Sequence, residues 1–315
     1  MRLHDLQNMV TDSKAFPDLD AYFHVALSFL KFIEETKATR IISPTEQQYV
    51  FYQFGGDFQH RITRPLNTLL FWENARLLKD GFRRLLDFLS DLKAKGSAAA
   101  AMSKHRRLIR GNGINRAVYT VQQAIGSVSD SLENPNQARK RIGQIFENLV
   151  RLLIEKAGVR CESRTVSIKL PTAAEHAMTY ELDLVLTPGK ALVASETRVL
   201  QPNEVVGAVK TTTKDRIDKI FLDKYLMSRL LGREVPVVAI VLHDVQRARK
   251  GGSIFGINST FKSNHFLGYS LALNPLDGVY YVDPRPGMLA DPDLAKRISD
   301  FARFLAFDLW TLTGG

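Results

Sequence analysis

Apolar residues recur at spacings of three and four through the N-terminal third of the chain, which is the pattern of amphipathic helices. One such stripe joins Leu19 to Ile33, and further apolar positions recur from Leu69 to Leu89. The stretch 95–104, KGSAAAAMSK, is small and has no apolar stripe, as is typical of a tether or an exposed loop. We therefore predict a helical N-terminal region over residues 1–100.

The pattern changes after Pro135. A helix is predicted over 137–157, and it ends at Gly158. A later helix is predicted over 215–231 and a last one over 293–311. Short runs rich in valine, isoleucine and leucine predict strands, and they lie at 165–170, 180–186, 205–211, 235–242 and 278–282. This alternation predicts a second domain over residues 101–315, with an α/β fold and a mixed sheet flanked by helices.

Composition narrows the class of protein. A chain of 315 residues with 45% hydrophobic content can bury a core. No apolar run is long enough for a membrane span and the N-terminus lacks a signal-peptide pattern, so we expect a soluble cytoplasmic protein without a membrane partner. The single cysteine, Cys161, excludes an intramolecular disulfide and a cysteine zinc site.

Positive charge is concentrated in one part of the chain. The net charge is +10, and residues 101–160 hold 11 Lys+Arg against 4 Asp+Glu. Such a field attracts polyanions, which makes nucleic acid the first partner to consider. Arg106 and Arg107 lie in this segment, where they either contact a DNA backbone or form an ordinary solvated helix face.

An acid in an apolar strand is the first candidate catalytic residue. Asp183 lies in the run YELDLVL, where strict alternation places it on one face with Val185 and places Leu182 and Leu184 on the other. A carboxylate in so apolar a strand is costly unless it is paired or binds a cation. The alternative is an aspartate at a strand end that is open to water.

A lysine ends the next apolar strand. Lys210 could orient an attacking water or stabilise charge that develops on a phosphate. The carboxylate that usually lies two residues earlier is absent, because that position is Ala208. Glu204 cannot replace it, since six extended residues span about 20 Å.

Helical spacing supplies two further acids. Asp223 shares a helix face with Ile220 and Met227, so we expect it to face the sheet and to provide the missing carboxylate. Glu147 shares an apolar stripe with Val150 in the helix over 137–157, from which it could act as an auxiliary acid.

These residues resemble the PD-(D/E)XK nucleases. More narrowly, KTTTKDR followed by a helix that carries an acid is similar to type II restriction endonucleases with a permuted active site, whose targets contain CCGG, CCNGG or CCWGG. The resemblance covers roughly residues 137–285. Two positions differ from the family pattern: Asp223 stands where the group usually has glutamate, and Leu182 where it has proline before the strand aspartate. The resemblance implies a restriction-endonuclease-like core in which Asp183 and Asp223 bind Mg²⁺ and Lys210 is catalytic.

The KDR segment suggests how bases are read. Asp215 can accept a hydrogen bond from cytosine N4, and Arg216 can donate two to guanine. In the resembled group this pair reads a CC:GG step with help from the preceding basic residue, here Lys214. The alternative is that Asp215 simply caps the helix that begins there. Both roles can coexist.

A third basic group lies downstream. Arg247, Arg249 and Lys250 are candidate DNA backbone contacts, and the residues that follow, 255–261 and 263–266, are predicted as loop and short strand.

The interpretation that follows is a Mg²⁺-dependent type II restriction endonuclease acting on double-stranded DNA. A palindromic target implies a homodimer, in which residues 1–100 serve dimerisation or DNA clamping. Two alternatives stay open: a structure-selective repair or recombination nuclease, against which the KDR segment argues, and a DNA-binding protein with a degenerate nuclease core, which Ala208 favours.

Overall fold

The computed structural model describes residues 2–12, 15–54, 62–95, 98–132, 135–171, 173–187, 199–214 and 216–314. The chain forms two compact units that are each assembled from several segments. The first unit comprises residues 1–88, 105–152 and 244–260, and the second comprises 89–104, 153–243 and 261–315. The functional division at residue 100 stays a prediction.

Helices dominate the N-terminal half. They are α1 (Leu3–Thr11), α2 (Leu19–Glu35), α3 (Ala75–Lys95), α4 (Ala98–Arg110), α5 (Gly113–Asp130) and α6 (Pro135–Ala157). The α2 helix begins where the Asp18 carboxylate accepts the Ala21 N–H at 2.9 Å, which satisfies an otherwise unpaired donor of the first turn. Within the first unit, α5 is buried along most of its length, and α1 and α2 pack against it.

Two small sheets complete the first unit. Strands β1 (Thr39–Ile42), β2 (Tyr49–Gln53) and β3 (Leu66–Asn67) form an antiparallel sheet. Strands β8 (Val245–Lys250) and β9 (Ser253–Ser259) form a separate hairpin.

A six-stranded mixed sheet forms the centre of the second unit, in the order β11-β10-β7-β6-β5-β4. The strands β4, β5 and β6 pair antiparallel, and β6, β7, β10 and β11 pair in parallel. Every residue of β7 is buried, as expected for a central strand of a parallel sheet that is covered on both faces. The bounds are β4 (Arg160–Leu170), β5 (Ala173–Thr187), β6 (Val205–Lys210), β7 (Val237–His243), β10 (Gly278–Asp283) and β11 (Ile298–Asp300).

One face of this sheet is covered by α7 (Ile217–Leu231), which connects β6 to β7. Phe221 and Met227 of this helix are buried among the valines of the sheet. The helix ends at Gly232, whose φ of 64° is a left-handed conformation that favours glycine. The other helices of this unit are α8 (Ser263–Ala272), α9 (Pro286–Ala290), α10 (Pro292–Ala295), α11 (Phe301–Arg303) and α12 (Leu309–Leu312), with a π-helical turn at Phe304–Asp308.

The predicted α/β fold with a mixed sheet and a helical N-terminal region is confirmed, and four local predictions are corrected. The N-terminal region also contains β1–β3, whose β-branched and aromatic residues favour strands. The expected tether at 95–104 is largely helix α4, because its alanine run has high helix propensity. Residues 263–266 begin helix α8 instead of a strand. The last predicted helix is interrupted by β11, which pairs with β10.

In the part of the chain described above, no helix is both long and apolar enough to cross a membrane.

Candidate active site

A β-bulge lies at Asp183. Glu162 of β4 pairs with Val185 of β5 and Arg164 pairs with Leu182, so two residues of β5 oppose one residue of β4 at this point. Leu182 and Val185 accordingly lie in the same buried cluster beneath α7. The prediction of strict alternation, which placed these two residues on opposite faces, is therefore wrong. Bulges re-aim side chains and are frequent beside active sites.

The bulge leaves the Asp183 carboxylate beside the end of β6. The β5–β6 ladder runs from Leu186–Val205 to Leu184–Gly207. Beyond it, the backbone N–H of Val209 donates to Asp183 Oδ2 at 2.8 Å. The side-chain carboxylate thus takes the place of a backbone acceptor at the point where the two strands separate.

Lys210 is the last residue of β6, and its ammonium donates to the same Asp183 oxygen. The Asp183 side chain is 18% exposed and that of Lys210 is 24% exposed, so the pair is partly shielded from water but accessible. An accessible lysine beside a carboxylate can orient a water molecule and stabilise negative charge on a phosphate.

Asp223 lies at the edge of the buried face of α7. Ile220 and Met227 are buried, as the helical spacing predicted. The Asp223 side chain is 29% exposed, and its carboxylate forms an ion pair with Lys219 one turn earlier. It is therefore a boundary residue and not an acid enclosed in the core.

The negative charge of Asp223 affects the pKa of a tyrosine in strand β5. Burial, and secondarily the negative charge of Asp223, raise the pKa of Tyr180 above its ordinary value. Tyr180 precedes Asp183 by three residues in β5. The Asp223 carboxylate is therefore close to Tyr180 of the strand that carries Asp183, and its ion-pair partner is Lys219.

Glu147 and Glu204 have different surroundings. Glu147 is half-buried in the part of α6 that belongs to the first compact unit, whereas Asp183 belongs to the second. Glu204 is 2% exposed and forms a bidentate ion pair with Arg164, with N–O distances of 2.6 and 2.9 Å. Both carboxylate oxygens of Glu204 are thus bound by Arg164, whose guanidinium is the ion-pair partner of this acid.

Sequence reasoning missed Arg164. Burial opposes its charge, but hydrogen bonds to Glu204 and Glu162 hold the pKa of Arg164 above its ordinary value. The same arginine lowers the pKa of Glu162. The alternation of side chains along β4 could have indicated this arginine, because Arg164 lies on the same face of the strand as the buried Val166 and Ile168.

The segment that the sequence analysis predicts to read bases, residues 214–216, lies between β6 and α7. Lys214 and Arg216 are both exposed, and Asp215, the predicted cap of α7, lies outside the described residues. Arg216 occupies the N-cap position of α7 without a side-chain capping bond. The Arg216 N–H donates to the Thr213 carbonyl at 3.0 Å, and this turn places the segment immediately after the Lys210 strand.

The remaining predicted DNA contacts are also at the surface. They comprise two arginines on α4 and three cations on β8: Arg106, Arg107, Arg247, Arg249 and Lys250. Among the described residues, no group of three or more histidine, cysteine, aspartate or glutamate side chains is arranged to hold a metal ion.

The second unit combines a mixed sheet with an aspartate that lies at a β-bulge beside the last residue of the next strand, a lysine. The chain has a restriction-endonuclease fold. The solved structure of the type IIP restriction endonuclease Kpn2I superposes with a TM-score of 0.65 at 18% identity, over 99% of this chain and 97% of that chain. The complex of the restriction endonuclease PspGI with substrate DNA gives a TM-score of 0.40 at 16% identity, over 76% of this chain and 92% of that chain. No protein-family model and no curated protein sequence matches the chain.

Proposed function

We propose that this protein is a type II restriction endonuclease that hydrolyses phosphodiester bonds of double-stranded DNA within or near a short palindromic site. The observation that carries this proposal is the Asp183–Lys210 pair at the diverging ends of β5 and β6, within a restriction-endonuclease fold. The β-bulge beside Asp183 supports the proposal, because bulges are over-represented next to active sites, where they re-aim a side chain.

The roles of the two residues follow from their chemistry. Lys210 carries the positive charge that orients the attacking water and stabilises the phosphate in the transition state. Asp183 holds the lysine ammonium in place through an oxygen that is itself fixed by the Val209 N–H. Since this oxygen has two donors, the other oxygen of the Asp183 carboxylate is the one that is available to a cation.

Mg²⁺ is the proposed cofactor, and the donor chemistry fits it. Hard carboxylate oxygens are the ligands that this ion prefers, and Mg²⁺ commonly uses one or two carboxylates together with substrate phosphate. Asp183 and Asp223, both partly exposed acids of the second unit, would hold the ion. When bound, Mg²⁺ supplies positive charge at the scissile phosphate and acidifies water.

For recognition we propose that Asp215 and Arg216 read a CC:GG step, with Lys214 assisting. The exposure of Lys214 and Arg216 supports this role, as does their position directly after the strand that ends in Lys210. Arg106, Arg107, Arg247, Arg249 and Lys250 are the proposed phosphate contacts. A palindromic target requires a homodimer, and the proposed location is the cytoplasm.

One experiment tests the activity. The purified protein is incubated with phage DNA and Mg²⁺, and the products are separated on a gel. Discrete fragments support a restriction endonuclease. A smear would instead indicate a structure-selective nuclease. Intact DNA that the protein nevertheless binds would indicate a DNA-binding protein with a degenerate nuclease core. Ala208, where a carboxylate usually lies, is the feature that favours this last outcome.

A further inference from the structure

The hairpin of β8 and β9 presents a defined two-stranded ribbon. Its strands are joined by Gly251 and Gly252, whose φ values of 57° and 78° fit the tight two-residue turn of a twisted hairpin. Gln246 pairs with Asn258 across the ribbon, and Ala248 pairs with Gly256. The positions of the side chains on its two faces are therefore fixed by the register.

One face anchors the ribbon to the first unit. Val245 and Ile257 are buried in a cluster with Tyr49 and Phe51 of β2. The Ile257 N–H also donates to Thr45 Oγ1 at 2.9 Å. The hairpin is thus held on the small β1–β3 sheet by apolar packing and by a hydrogen bond at its base.

The opposite face carries amides. Because successive side chains of a strand point to opposite faces, Gln246 and Asn258 share the face that is directed away from the cluster. Asn258 is exposed and Gln246 is half-buried, and neither side chain forms a hydrogen bond with a described residue. The neighbouring pair on this face is Ala248 and Gly256, so no long side chain of that pair covers the amides.

A glycine fixes the cation at the tip. A Cβ atom at Gly256 would lie 2.7 Å from Lys250 Cβ and 2.8 Å from the Ala248 carbonyl oxygen. A side chain at position 256 would therefore force movement of the strand at the register shift between Ala248 and Lys250, which lies beside the turn.

The ribbon is positively charged, and it contains no acidic residue that would balance this charge. Residues 245–260 contain three cations, Arg247, Arg249 and Lys250, and no acid. All three side chains are exposed, and none forms an ion pair with a described residue. The adjacent acid, Asp244, is buried and accepts the Thr260 hydroxyl at 2.7 Å.

We propose that this hairpin is a DNA-reading arm, in which Gln246 and Asn258 contact base edges while Arg247, Arg249 and Lys250 bind the flanking phosphates. A two-stranded β-ribbon fits the major groove, and glutamine and asparagine bind adenine N6 and N7 in a bidentate manner. The target then includes an A·T pair that the hairpin reads, in addition to the step read by residues 214–216. The inference rests on the proposed function only in taking duplex DNA as the partner.

Base reading is tested with the double variant Gln246→Ala/Asn258→Ala in full-length protein. Bound duplexes are selected from a randomised library in EDTA and sequenced, and Asn8→Ala, an exposed amide of α1, is the control. We expect the double variant to lose an A·T preference of roughly 5- to 150-fold at one position or a symmetric pair of positions, the range that one bidentate contact provides. Unchanged base preference would overturn the reading role.

Phosphate binding is tested with the triple variant Arg247→Ala/Arg249→Ala/Lys250→Ala. Its affinity for random duplex DNA should fall, and the slope of log K against log salt should decrease by about 3, since each neutralised phosphate contributes about 0.9. A wild-type slope would show that these side chains do not contact DNA.

Proximity is tested with Lys250→Cys. The natural cysteine, Cys161, is buried, so an iron chelate can be attached selectively at the tip of the hairpin. Radical cleavage should map to a few nucleotides next to the selected A·T pair. The absence of localised cleavage would overturn the arm even if the protein binds DNA.

These measurements separate the inference from the proposed function, because none of them requires DNA hydrolysis. If the protein cleaves specifically but its hairpin variants behave as wild type, the proposed function is supported and the DNA-reading role of the hairpin is overturned. A protein that fails to cleave but changes its base preference in the double variant keeps the arm.

Discussion

The Asp183 carboxylate and the Lys210 ammonium form an ion pair where strands β5 and β6 separate. The same carboxylate oxygen accepts the Val209 N–H at 2.8 Å. The lysine is therefore positioned by the backbone of its own strand as well as by the acid. This arrangement makes the two residues a unit whose loss has a defined consequence.

Removing either member should abolish cleavage. We expect Lys210→Ala and Asp183→Ala to reduce the rate of DNA hydrolysis by at least about 100-fold, because each removes a group that is proposed to act at the scissile phosphate. Affinity for the cognate duplex in EDTA should stay within a few-fold of wild type. Hydrolysis at the wild-type rate in either variant would remove the pair from the active site.

Asp223 should affect the response to metal. We expect Asp223→Asn to reduce cleavage and to raise the Mg²⁺ concentration needed for half-maximal rate, since a neutral amide is a weaker ligand. Asp218→Asn, an exposed acid in the first turn of the same helix, is the matched control. If both variants require the same Mg²⁺ concentration as wild type, Asp223 is only the ion-pair partner of Lys219.

Substitution of Arg216 and substitution of the α4 arginines should have different effects on DNA affinity, because the first residue is proposed to read bases and the others to bind phosphates. Arg216→Ala should lower affinity for the cognate site by about 1 to 3 kcal/mol and leave binding to random DNA nearly unchanged. Arg106→Ala and Arg107→Ala should weaken both equally and reduce the salt dependence. Mapped cleavage sites without adjacent C·G pairs would contradict the assignment of residues 214–216.

The buried ion pair of Arg164 should matter for stability. Arg164→Ala leaves Glu204 buried without its cation, so we expect the free energy of unfolding to fall by about 3 to 5 kcal/mol. Arg160→Ala, which removes a partly exposed partner of Glu162, should cost less than about 1 kcal/mol. Urea unfolding of both variants measures the difference, and equal losses would show that the Arg164 pair is not special.

Much of the second unit was predictable because its strands are apolar and bounded by turn residues. The helix near 215–231 and the strands at 205–211, 235–242 and 278–282 correspond closely to observed elements. The first unit was less predictable, since β1–β3 are short and depend on pairing partners that are distant in sequence. The last helix was overextended, because the pairing of β11 with β10 overrides local helical periodicity.

The sequence by itself determined the chemistry of the site. The apolar strand around Asp183, the lysine at the end of the next strand and the helical phase of Asp223 with Ile220 are local patterns, and they depend only on the periods of strands and helices. Only the tertiary structure decided which of these residues meet. The bulge that turns Asp183 towards Lys210 depends on the register between β4 and β5. The pairing of Asp223 with Lys219, by contrast, is a local contact between residues four apart in α7. The position of Asp183 is therefore non-local, because a one-residue change in strand pairing alters which face a side chain occupies without any change in the local pattern.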